Sequence, residues 1–169
     1  DDYSQVSNIP SGTDFVQVTG GGYHSLALKS DGSLASWGRD NYGQVSNTPT
    51  SGVFTQVAGG CGQHSLALHA NSSIFAWGQD NTGQVSNTPV GTNFTQVAGG
   101  DDHSLALKSD GSIVSWGKNS NGQVSNTPSG NSFVQVACGD EHSLVLRLDG
   151  SIASWGYDGA GQVSNTPTG

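Results

Sequence analysis

The chain has 169 residues, enough for one domain with a sizeable core, and nothing in its composition marks a second domain joined by a linker. Only 33% of the residues are hydrophobic and 26 are Gly, so the placement of the apolar residues decides whether the chain folds at all. Thirteen Asp plus Glu against five Lys plus Arg give a formal net charge of -8, which leaves no basic stripe to neutralise phosphates and argues against direct nucleic-acid binding.

In chain order, the first segment is Gln5-Val6-Ser7-Asn8, ending at Pro10, which reads as a short extended piece. It recurs from Gln44, Gln84, Gln123 and Gln162. After it, runs such as Phe133-Val134-Gln135-Val136 and His142-Ser143-Leu144-Val145-Leu146 alternate as strands with a buried face do, and Ser151-Ile152-Ala153-Ser154-Trp155 continues the pattern. Asp31-Gly32, Asp110-Gly111 and Asp149-Gly150 lie between the second and third runs and predict tight type I′ hairpins. No segment holds helical spacing for three turns, and Gly and Pro fall every few residues, so helix content should be close to nil.

The whole unit repeats. Trp-Gly occurs at Trp37, Trp77, Trp116 and Trp155, and His-Ser-Leu begins at His24, His64, His103 and His142, each set spaced 40, 39 and 39 residues apart. The one extra residue lies near Cys61. Three strands plus the Gln-Val-Ser-Asn piece predict a four-stranded meander of about 39 residues, the length of a propeller blade. Such a sheet cannot bury both faces alone, so blades must stack with Trp, Phe, Leu and Ile between them.

The Gly-x-x-His-Ser, Trp-Gly and Gly-Gln motifs, for example 136–144, 149–156 and Gly161-Gln162, recur in fixed order across essentially the whole chain. They resemble the regulator-of-chromosome-condensation repeat. The Gly-Gln-Val-Ser-Asn-Thr-Pro ending is closer to the bacterial branch, which includes a propeller-type β-lactamase inhibitor. The resemblance implies an all-β propeller, usually seven-bladed, that presents loops to protein partners. Family members also include a nucleotide exchange factor and a plant ultraviolet-B photoreceptor. Neither activity carries over: the chain has no long insertion to act as a wedge and no basic tail, and its four Trp all belong to Trp-Gly.

Seven such blades need roughly 270 residues, whereas this chain divides into units at about 5–43, 44–83, 84–122 and 123–161 with an extra terminal strand at 162–167. Segments 5–10 and 162–167 would compete for one place in a closed ring. Three readings stay open: part of a larger ring, an arc that closes by pairing with a second chain into eight blades, or a four-bladed ring with one frayed end. The Asp1 start and the absence of Met fit a processed or excised segment. No apolar run reaches the roughly 18–20 residues of a membrane helix and no signal-peptide pattern is present. Asn71-Ser72-Ser73 and Asn93-Phe94-Thr95 match the glycosylation acceptor pattern, though chance matches are expected in this composition.

His24, His64, His103 and His142, with Trp37, Trp77, Trp116 and Trp155, are read as blade-defining structural residues. A metal ring would need the four imidazoles to converge, and no metal or cofactor is expected. His69, in place of the Lys or Arg of other units, is local drift. Cys61 and Cys138 are expected as free, largely buried thiols, with a disulfide as the alternative. Asp40-Asn41 and Asp80-Asn81 lack the ligand spacing of a calcium loop. The better functional leads are positions that vary on a constant frame: Tyr23, Gln63, Asp101, Asp102, Asp140 and Glu141 before the His residues, and Tyr42 and Tyr157 in the loops at 39–42, 79–82, 118–121 and 157–160. These residues predict a non-catalytic scaffold binding a protein partner, extracellular or at the cell surface, without nucleic-acid binding or membrane insertion. A structural, self-assembling repeat protein or a carbohydrate-binding propeller are the alternatives, and a homodimer or assembly with further blades is the expected oligomer.

Overall fold

The computed structural model describes residues 4–168. Twelve strands form four antiparallel sheets of three, each a meander joined by short turns, with no helix among the described residues. Blade 1 contains β1 (Phe15–Gly20), β2 (His24–Lys29) and β3 (Leu34–Gly38), and blade 2 contains β4 (Phe54–Gly59), β5 (His64–His69) and β6 (Ile74–Gly78). Blade 3 contains β7 (Phe94–Gly99), β8 (His103–Lys108) and β9 (Ile113–Gly117), and blade 4 contains β10 (Phe133–Cys138), β11 (His142–Arg147) and β12 (Ile152–Gly156).

The expected fourth strand is a turn. In blade 1, Asn47 N donates to Gly43 O and Thr48 N to Val45 O, and the Asp40 carboxylate caps the turn by accepting from Val45 N and Ser46 N, both at 2.9 Å. Asp80, Asn119 and Asp158 cap the equivalent turns, including the segment at 162–167 that was expected as a terminal strand. Gly43, Gly83, Gly122 and Gly161 enter these turns at φ between 77° and 82°, so the chain reverses where it was expected to extend. The Asp-Gly hairpins also differ from type I′. Only the Gly is left-handed, Gly32 N donates to Lys29 O, and the Asp31 side chain accepts from the Ser33 amide, which describes a type I turn closed by a glycine bulge.

Blade 2 makes this turn with Ser72 at φ 65°, where the other blades have Gly32, Gly111 and Gly150. A Cβ in that region is strained. Ser72→Gly should therefore stabilise the protein by about 1 kcal/mol, read from the shift of a urea unfolding midpoint at constant slope.

The core lies between blades. Leu26 and Leu28 of blade 1 pack on Phe54, Val57, Ala67 and Trp77 of blade 2, and the same sets recur at the next two junctions. Because blades cover both sides of the middle strands, His64-Ser65-Leu66-Ala67-Leu68 is buried at every position. A bulge at the second residue of each first strand shifts the register after Phe15, Phe54, Phe94 and Phe133 and aims the following Gln at the next blade. First strands of adjacent blades pack together, β1 on β4, β4 on β7 and β7 on β10. There a Cβ on Gly59 would lie 2.7 Å from Gly20 O, so the close approach requires glycine.

Candidate functional site

Each internal junction is tied by three kinds of polar bond. His24 Nε2 and Ser65 Oγ are 2.8 Å apart, and His64–Ser104 and His103–Ser143 repeat the pair at 2.9 Å. Gln17 clasps the Val57 peptide, donating to Val57 O and accepting from Val57 N, and Gln56 on Val97 and Gln96 on Val136 do the same. The Trp77, Trp116 and Trp155 indoles donate to the carbonyls of Gln44, Gln84 and Gln123 in the preceding turn. Trp37 takes Gln5 O in the same way.

Of the His and Trp residues expected to define the blade, His24, His64 and His103 bond across the internal junctions and all four Trp bond a preceding turn. Sequence reasoning missed the Gln clasp, although a polar residue at one register position in every unit was its signal. Burial holds His24, His64 and His103 down to about 4, and their Nδ1 atoms have no hydrogen-bond partner among the described residues. A Cβ on Gly60 would lie 2.4 Å from the His64 ring, which explains the small residue ahead of each His.

The residues just before each His gather at the loop ends nearest the first strands. Asp101 N donates to Asp140 O, and Gly22 N to Gly62 O, tying neighbouring loops. Asp101, Asp140, Glu141, His142, Tyr157 and Gln162 line one open cleft. Glu141 accepts from Lys118 Nζ at 2.5 Å and from Asn121 Nδ2 at 3.3 Å. Desolvation and then the neighbouring Asp102 charge push the Asp101 carboxyl above its usual range, against the pull of Lys118.

The other expected residues lie outside this cleft. Asp102 accepts from Gln84 Nε2, Gln63 bridges Gln44 and Gln79, Tyr23 lies beneath the Arg39 guanidinium, and the Tyr42 amide donates to Gln44 Oε1. Both thiols are free. Cys61 is exposed, not buried as expected; desolvation and then a hydrogen bond with Asp140 push its thiol up to about 11. Cys138 is partly covered and its thiol is also pushed up, chiefly by burial. Among the described residues no group of three or more His, Cys, Asp or Glu is placed to hold a metal ion, and no helix is long and apolar enough to cross a membrane.

Residues 15–44, 94–123 and 133–162, more than half of the chain, match the Regulator of chromosome condensation (RCC1) repeat. The chain belongs to the RCC1 repeat family. No curated protein matches it. Among solved structures, Prp20p from Saccharomyces cerevisiae aligns with TM-score 0.73 at 24% identity, over 90% of this chain and 47% of its own. The CRINKLY WD40 ectodomain of the Arabidopsis thaliana receptor kinase ACR4 aligns with TM-score 0.72 at 24% identity, over 90% and 52%. Human WBSCR16 gives TM-score 0.70 at 24% identity, over 85% and 47%. These RCC1 repeats thus share a β-propeller fold with the solved structures and span about half their length.

The match omits the second unit, the one with Cys61, His69 and Ser72. His69 is placed by Phe54 and Phe75, with ring centroids 5.4 Å and 5.7 Å away, and Asn71 Oδ1 lies 2.8 Å from its Nδ1.

Proposed function

We propose that this RCC1-repeat protein is a non-catalytic scaffold whose acidic cleft receives a Lys- or Arg-rich segment of a protein partner. The observation that carries this reading is the convergence of Asp101, Asp140 and Glu141 beside Tyr157 on a frame that is otherwise nearly the same in every blade. Lys118 offsets one of these carboxylates, leaving a negative surplus at the cleft. Tyr157, 44% exposed, offers a flat apolar face beside the charges, a combination that suits an Arg or Lys side chain. Residues 1–169 serve as the scaffold unit, with Asp102, Tyr23, Gln63 and Tyr42 shaping the surrounding loops.

The structural solved relative Prp20p is described for its binding to Gsp1p and histones, which is compatible with a protein partner here. An extracellular or cell-surface setting belongs to the same proposal, and one aligned structure is a receptor-kinase ectodomain. The non-catalytic reading is supported by the His–Ser pairs. They have the spacing of a base and a nucleophile, but His64, Ser65 and Ser104 are wholly buried between blades, where no substrate reaches them. A glycan reading gains no support from the positions before the His residues, which carry four different side chains: Tyr23, Gln63, Asp102 and Glu141.

The test is fluorescence-anisotropy titration of an oligo-arginine peptide against the native chain and an Asp101→Asn/Asp140→Asn double variant. Binding that weakens with salt, and falls roughly tenfold in the variant, is expected from losing about 1.4 kcal/mol of charge interaction. Equal binding by both proteins, or no binding by the native chain, would overturn the proposal.

A further inference from the structure

We propose that the turn between β5 and β6 of blade 2 is an N-glycan acceptor, with Asn71 carrying an oligosaccharide through an N-acetylhexosamine. The inference rests on the extracellular setting proposed above only for the supply of the modifying enzyme, and it is independent of the acidic cleft. Asn71 follows the end of β5 that lies farthest from His64 and the cleft-side loops, so a glycan there leaves the cleft open. Blade 2 is packed on both sides, against blades 1 and 3, and the turn is exposed on an internal blade.

Asn71-Ser72-Ser73 and Asn93-Phe94-Thr95 both have the acceptor pattern, and the fold separates them. Asn71 is exposed in a tight turn in which Ser72 N donates to His69 O at 2.8 Å and His69 N to Ser73 O at 2.9 Å. Ser73 Oγ donates to Asn71 Oδ1 at 2.6 Å, and Ser73 N donates to the same oxygen at 3.0 Å. The hydroxyl that the pattern requires therefore orients the amide, while Nδ2, the atom to be modified, makes no hydrogen bond among the described residues. All of these bonds lie within residues 69–73, so the turn assembles from local contacts alone.

Asn93 has none of this. It leads into β7, and its carbonyl accepts from Ser109 N. Thr95 Oγ1 donates to Leu107 O at 3.3 Å instead of to Asn93, and the intervening Phe94 is 1% exposed in the core between blades 2 and 3. Modification of Asn93 would have to draw a core residue out of that junction.

The other blades make the same turn with a carboxylate. Asp31, Asp110 and Asp149 accept from the amides and hydroxyls of Ser33, Ser112 and Ser151, as Asn71 does from Ser73. A carboxylate has no nitrogen to bear a sugar, so Asn in place of Asp keeps the turn and creates the acceptor in blade 2. Two aromatic residues accompany it. His69, whose Nδ1 is 2.8 Å from Asn71 Oδ1, replaces the Lys or Arg of the other units. Phe75, 41% exposed, stands where the others have Ala35, Val114 and Ala153, and its ring centroid is 5.7 Å from that of His69. Together they set an aromatic surface beside the acceptor, on which the C–H face of a pyranose can rest.

The transfer balances with a lipid-diphosphate-linked oligosaccharide as donor. Asn71 Nδ2 forms a bond to the anomeric carbon of the first sugar while the bond from that carbon to the phosphate oxygen breaks. The lipid diphosphate leaves with the bonding pair, and the nitrogen gives one proton to a base of the transferase.

The test is to direct the full chain into the secretory pathway of a eukaryotic cell and to map its peptides by mass, using chain recovered from both the medium and the secretory compartments. A glycan on Asn71 and none on Asn93 is expected, with the added mass lost on treatment with a peptide N-glycosidase. Asn71→Asp, which installs the residue type of the other three turns, should give folded chain without the glycan. Asp110→Asn, which places the acceptor pattern in the same turn of blade 3, should add a second glycan. An unmodified Asn71, modification at Asn93 in its place, or no gain from Asp110→Asn would overturn the proposal. The pathway supplies the transferase whatever the natural setting of the chain, so such a failure strikes the acceptor turn and not the cleft, which the oligo-arginine titration decides by itself.

Discussion

Lowering the pH from 7 to 4 should unfold this protein, with most of the loss between pH 6.5 and 4. Burial holds His24, His64 and His103 at about 4 against 6.5 for a free imidazole. The folded values lie below the unfolded one, so the unfolded chain takes up protons first as the pH falls. The stabilisation is whole above about 6.5 and gone below about 4. Each group contributes about 1.4 kcal/mol per pH unit in that window, so three together remove on the order of 10 kcal/mol. A domain of this kind has about 5–15 kcal/mol to lose.

The chemistry behind the shift is specific. A protonated ring must donate from both nitrogens, and Nδ1 of each of these His residues is buried with no acceptor among the described residues. Asp31, Asp110 and Asp149 are held low by their Ser33, Ser112 and Ser151 hydroxyls, and their contribution disappears only below the ordinary carboxylate range. Urea titrations at half-unit pH steps separate the two windows. His64→Gln should lower stability at pH 7 yet reduce the slope between pH 6.5 and 4 by about a third, since one of three titrating groups is gone. A native slope near zero in that window would contradict the buried neutral ladder.

The period, the strands and the recurring His and Trp were legible because the same contacts recur at each internal junction. A buried imidazole needs the Ser of the next blade, and a buried indole needs the Gln carbonyl of the preceding turn, so neither can drift without breaking a junction. The Gln44-Val45-Ser46-Asn47 segment misled because Val between polar residues mimics a strand, while the cap comes from Asp40, outside the apparent repeat of apolar residues. The acidic cleft was half legible. Asp101, Asp140, Glu141 and Tyr157 meet, but only packing of adjacent loops determines that Asp102 turns to Gln84 and Gln63 to Gln79. His142 and Gln162 were read as frame, yet they line the cleft.

Trp116→Ala should cost roughly 3–5 kcal/mol. The side chain is 4% exposed, packs with Leu66, Leu68, Phe94 and Val97 between blades 2 and 3, and donates Nε1–H to Gln84 O at 2.9 Å. Truncation therefore opens a cavity and also leaves a carbonyl without its donor. Trp116→Phe separates the two effects: it keeps most of the packing and should cost nearer 1–3 kcal/mol, approximately the penalty of the lost bond.

Position within the array adds a second discriminator. In a stack where each blade touches only its neighbours, stability is a sum of blade and junction contributions. Trp116 is at the middle junction, so its loss uncouples the pair of blades on either side. Trp155→Ala weakens the attachment of blade 4 alone. Trp37 is only partly buried, so Trp37→Ala should be the mildest of the three. Hydrogen exchange on the three variants distinguishes these cases: Trp116→Ala should speed exchange in β4–β9, Trp155→Ala only in β10–β12. Equal costs at all three positions would mean that the blades unfold as one unit and that the junctions are not the separable source of stability.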